Sequence, residues 1–144
     1  MSVPLDPAGN ISLILQVVIL FLLVLGLPFV KGIGGKKNLI LHGYLTVLAL
    51  VMHTILIFVV MIPSFNNGFG EIGELSFLGA FNVWSHAILG TLAEILGFIV
   101  VGFWVSKPLS NLACIRARKL MLPLFVIWTI SLVNGAIIHI LGLL

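Results

Sequence analysis

Four histidines and one glutamate, His42, His53, His86, His139 and Glu94, lie inside runs that are otherwise almost wholly apolar. An imidazole within a lipid-spanning segment is costly unless it faces protein, a ligand or a cavity. Histidine is also the side chain most used to hold haem iron or a transition metal. A buried carboxylate such as Glu94 is either hydrogen-bonded across helices or serves as a proton relay or metal ligand. Hydrolytic chemistry lacks its parts: there is no His-Glu-x-x-His run, no Gly-x-Ser-x-Gly elbow and no Cys-x-x-Cys pair. With four acidic residues in 144, the chain does not read as an independent enzyme; at most it is a redox subunit.

The elements that carry these residues follow from composition. The chain is 61% hydrophobic and 8% charged, with a mean hydropathy of +1.32, which suits a bilayer rather than a water-soluble core. Four apolar runs have the length to cross, at about 11–30, 39–62, 81–105 and 120–144. Backbone groups in lipid must be paired internally, so these runs are predicted to be helices. The fold class is thus all-α, an integral membrane four-helix bundle forming a single domain over 1–144. Pro63 to Ala80 is the longest connection, and Gly32–Gly35 and Asn66–Gly70 read as turns. The first span reads as an uncleaved membrane helix. Lone Cys114, in a basic loop, has no partner for an internal disulfide.

All seven basic residues fall in two loops, 31–37 and 107–119, whereas Asp6, Glu71 and Glu74 lie in the N-terminal tail and the middle loop. The positive-inside rule then puts the basic loops in the cytoplasm and both termini outside, in a multi-pass protein of the plasma membrane. The net charge of +3 reflects this topology and anionic lipid; no nucleic acid is implied.

At 1.5 Å per residue from the basic ends, His42 lies at about 5 Å, Glu94 at about 17 Å, His53 at about 21 Å, and His86 and His139 at about 28 Å. His42 and His53, eleven residues apart, cannot share an ion. An axial haem pair needs two ligands at similar depth on facing helices, which His86 with His139, or His53 with His86, would meet. His42 would need another partner, such as Met121, or it snorkels toward headgroups. Gly90, Ala93, Gly97 and Gly135 are expected to line a dry pocket. Trp84 and Trp104 are placed near the two interfaces and Trp128 in packing.

Three segments carry a family resemblance: Leu41-His42-Gly43-Tyr44-Leu45 after Lys36-Lys37, Ser85-His86-Ala87-Ile88-Leu89-Gly90, and Arg116 to Pro123 continuing through Ile127-Trp128 to Asn134-Gly135. Together they are similar to a family of small four-helix membrane proteins known as a domain of unknown function. Some bacterial members of that family act in maturation of haem-copper terminal oxidases. The resemblance points at His42 and His86. A basic-loop histidine expected around Cys114 or Ile115 is absent, and His53 and His139 are additional. These departures favour a separate ligand site built from His53, His86 and His139.

The reading that follows is a small subunit or accessory protein of a respiratory-type electron-transfer complex, binding haem b through His86 and His53 as iron ligands and packing on larger membrane subunits. Rivals are an assembly factor holding haem or copper transiently, a structural helper without cofactor, and a metal or proton pathway through His53, Glu94 and His86.

Overall fold

The computed structural model describes residues 7–31, 38–106 and 111–141, and these are helical apart from short turns. Helix α1 is Pro7–Lys31 and α2 is Leu39–Leu56; a π-helical turn, Ile57–Met61, leads into α3, Ile62–Gly68. A 3₁₀ turn, Ile72–Glu74, precedes α4, Phe77–Ser106, and α5 is Asn111–Leu141. Four helical stretches are long and apolar enough to cross a membrane: Gly9–Phe29, Leu39–Gly68, Phe77–Ser106 and Lys119–Leu141. Large apolar side chains such as Ile14, Phe58, Phe98 and Ile140 are more than half exposed, as lipid-facing residues should be and as a water-soluble surface would not tolerate.

Helix boundaries run past the apolar limits because flanking polar residues extend the ends. The second helix continues from Ile62 to Gly68, so the expected long connection after Pro63 shrinks to a compact cap. The π turn has a local cause. Pro63 has no N–H to give the Val59 carbonyl, so the regular ladder cannot be completed there. The bond from Ile62 N–H instead reaches back five residues to Ile57 O. The fourth helix likewise begins at Asn111 rather than near 120. The glycine-rich turn at 32–35 and the side chain of Cys114 lie outside the described residues.

The two ends of the bundle are termed acidic (Glu71, Glu74) and basic (Ser106, Lys119). Helices α1 and α2 form one hairpin and α4 and α5 another, and each hairpin packs more extensively within itself than against the other. At mid-height Ile19, Ala49, Ala93 and Trp128, one from each long helix, meet in a buried cluster. A second cluster closes the acidic end, where Ile72 of the 3₁₀ turn is buried against Val83 and Ile138. Ser76 fixes the chain there: its hydroxyl accepts from Gly79 N–H at 3.2 Å, satisfying a free donor of the α4 start.

Candidate functional site

Each histidine ties its helix to a neighbour. His42 Nδ1 meets the Gly26 carbonyl of α1 at 3.0 Å. His53 Nδ1 meets Glu94 Oε2 of α4 at 2.7 Å. His86 Nδ1 meets the Ser131 carbonyl of α5 at 2.8 Å. His139 Nε2 meets Asn10 Oδ1 of α1 at 3.0 Å. The four links join α1 to α2, α2 to α4, α4 to α5 and α5 to α1, closing a ring around the bundle.

These bonds also sort the ring nitrogens. A carbonyl oxygen only accepts, so Nδ1 of His42 and of His86 must carry the proton. In the neutral ring, Nε2 is then a bare lone pair. At His53 the same ring nitrogen faces the Glu94 carboxyl group. His139 is the reverse, since its Nε2 is engaged by Asn10.

A cavity of about 600 Å³ occupies the acidic half, lined by His53, His86 and His139 together with Gln16, Trp128 and Ser131. That size lies within the range of roughly 300–1,000 Å³ common for small-molecule and cofactor sites. The π turn forms part of its wall through Ile57, Val60 and Met61, in keeping with the frequent placement of such turns at functional sites. Trp128 of the mid-height cluster and Val83 and Ile138 of the acidic-end cluster contribute to its wall.

His53 is buried, with its ring edge-on to Trp128 at a centroid distance of 5.7 Å. Glu94 is held from its other side by the Thr54 hydroxyl on Oε1, and that hydroxyl also lies 2.9 Å from Leu50 O. His86 lies over Gly135, where a Cβ would come within 2.8 Å of its Cε1. Ser131 Oγ donates to the His86 carbonyl at 3.2 Å, and Gly90 leaves room for it, since a Cβ there would be 3.3 Å from that oxygen. Trp128 and Gly135, the α5 residues touching the two rings, are seven positions or about 10 Å apart along the axis.

Several expected roles are redistributed. His42 does not line the cavity; it turns toward α1, and its Nε2 is buried with no hydrogen-bond partner among the described residues. With Nδ1 on Gly26 and Nε2 buried, the ring does not snorkel toward headgroups. Gly90 and Gly135 line the cavity, but Ala93 belongs to the mid-height core and Gly97 receives Leu50. Trp104 does not reach an interface with its indole N–H, which is buried with no hydrogen-bond partner among the described residues; its ring lies against Gly43. Asn134 links α5 to α4, donating to Ser85 Oγ at 2.9 Å. Gln16 and Ser12, both buried and 3.3 Å apart across their hydrogen bond, complete the polar lining from α1. Sequence reasoning missed them, though two polar residues at i and i+4 in an apolar run were the available signal.

Among the described residues no three His, Cys, Asp or Glu side chains converge on a point that could hold a metal ion. A site in this cavity would therefore rest on the two-histidine arrangement. No protein-family model, curated protein or solved structure matches the chain significantly, so the functional argument rests on these residues.

Proposed function

We propose that the chain is a membrane-embedded b-type haem protein, in which His53 and His86 would hold the haem iron, serving as a small subunit or accessory of an electron-transfer complex. One observation carries this reading: two histidines, one from each hairpin, line the same cavity, each with Nδ1 tied to an oxygen of a neighbouring helix, which leaves Nε2 as the nitrogen to bind a ligand. Metal-ligating histidines are ordinarily held this way, the second nitrogen bonded to a carboxylate or a carbonyl so that ring and tautomer are fixed. Haem iron needs only two protein ligands, which matches the donor set. When bound, the haem would supply one-electron chemistry. The chain's own residues would hold the group and supply apolar wall through Ile57, Val60 and Leu132 beside the polar Ser12 and Gln16.

His139 falls outside the ligand pair because Asn10 occupies its Nε2, and His42 because it stands outside the cavity. The charge asymmetry of the loops supports an orientation with the basic loops cytoplasmic and both termini outside, in the plasma membrane. Larger membrane subunits are the natural partners of so small a unit, and the family resemblance keeps oxidase maturation as the nearest alternative task.

A purely structural bundle is the second reading, favoured by the closed ring of histidine links. The deciding measurement is a dithionite-reduced minus oxidised visible spectrum of detergent-purified protein, with a pyridine haemochrome count. The proposal expects a sharp reduced α-band at one haem per chain. Protein expressed with ample haem that shows no band would leave the structural reading standing.

A further inference from the structure

The two proposed ligands are held by unlike groups. His86 donates to a neutral backbone carbonyl, whereas His53 Nδ1 is paired with the ionisable Glu94 carboxyl at 2.7 Å. The side chains of His53 and Glu94 retain only 8% and 12% of their exposure, so little water screens the contact. Glu94 is in turn fixed, with its second oxygen on the Thr54 hydroxyl. The line Thr54–Glu94–His53 thus runs from α2 to α4 and back to α2, and its free end is the Nε2 of His53.

Resting on the haem reading above, we infer that Glu94 is a positioning residue that sets the electronic character of His53 and, through it, the reduction potential of the site. A hydrogen bond from Nδ1–H to a carboxylate shifts electron density onto the ring and makes Nε2 a stronger donor. A stronger axial donor stabilises the oxidised iron and lowers the potential. A carbonyl acceptor does this less, because it carries no full charge. The site is therefore asymmetric. His53 is the strong, fixed ligand and His86 the weaker one, and the connection between hairpins that carries the potential is the one made by Glu94.

The decisive variant is Glu94→Gln, which keeps size and one acceptor but removes the charge. In the full-length holoprotein it is expected to retain haem and to have a higher midpoint potential than wild type, with shifted ferric electron-resonance g-values. Thr54→Val, which frees Glu94 on one side, should shift the potential in the same direction by less. Haem-loaded Glu94→Gln with an unchanged potential and spectrum would overturn the inference, since a merely structural carboxamide would behave in that way.

A second measurement needs no haem. ¹⁵N-histidine NMR of the ligand-free protein at mildly alkaline pH should show His53 with its proton on Nδ1 and a bare Nε2. That preference should relax in Glu94→Gln. A wild-type His53 with a bare Nδ1 would overturn the inference. Failure of wild type to bind haem would instead defeat the haem reading, while the NMR result would still report whether Glu94 sets the state of His53.

Discussion

At the basic end His42 lies against Gly26, and at the acidic end His86 lies against Gly135. In both places a glycine on the adjacent helix makes room for an imidazole: a Cβ would come within 2.9 Å of His42 Nδ1 in one case and 2.8 Å of His86 Cε1 in the other. Both rings donate from Nδ1 to a backbone carbonyl of that helix. The difference is what stands beyond Nε2. Around His86 it is the cavity, shared with His53. Around His42 it is packed protein, with Trp104 close by on Gly43. The same residue pair thus makes an interhelical link in one half and a link plus an available lone pair in the other. Ligand capacity here depends less on placing a histidine in lipid than on leaving volume beside a histidine already fixed by its other nitrogen.

The largest expected effect separates the halves outright. His53→Ala and His86→Ala should each abolish the reduced α-band, while His42→Ala should keep a full haem complement and lose only stability. For His42 the loss is about 1 kcal/mol from the hydrogen bond, plus the cost of the space left by the ring. Haemochrome counts on the three variants check this. Loss of haem from His42→Ala with the other two intact would invert the assignment of the halves.

The glycines offer a finer test. Gly135→Ala should push the His86 ring out of register with the cavity and weaken haem retention at least tenfold, about 1.4 kcal/mol. Gly26→Ala, its counterpart, should cost about 1–3 kcal/mol of stability through overpacking without changing the affinity for haem. Titration of the detergent-solubilised apoprotein with haemin, beside thermal unfolding, measures both. Equal affinities in the two variants would mean that the close approach at Gly135 serves packing alone.

Much of this was legible in the residues. Four spans were readable because bilayer thickness and backbone pairing leave a run of about 20 apolar residues few alternatives. The burial of His53 and the half-burial of His86 followed from their depth, and the choice between the possible pairs did not. In the proposed reading the pair is chosen by which ring nitrogen each neighbour engages, and a carbonyl acceptor belongs to no residue type, so no spacing rule announces it. The cap was misread for a related reason. Pro63, Asn66 and Asn67 have turn chemistry, but the helix runs on as far as Gly68, and Ile72 then folds down because Val83 and Ile138 present an apolar seat. Pro63 itself was the available signal for the π turn. The ring of His links was legible only in part, since His139 and Asn10 are 129 positions apart.

The packed half can be tested on its own glycines. Gly43 is covered by the Trp104 ring, so Gly43→Ala forces the indole to move and should destabilise by about 1–3 kcal/mol. Gly102 is the contrast: a Cβ there meets nothing within 4 Å, and its position is exposed on the helix surface. Gly102→Ala removes backbone freedom from a helix interior at no steric cost, so it should stabilise by up to about 1 kcal/mol. Neither change should alter the visible spectrum, because both sites lie on the far side of the mid-height cluster from the cavity. Thermal unfolding in one detergent, with spectra recorded alongside, reads both variants. A destabilising Gly102→Ala would show that this open face is covered in the membrane, and crosslinking from position 102 would then identify the helix that covers it.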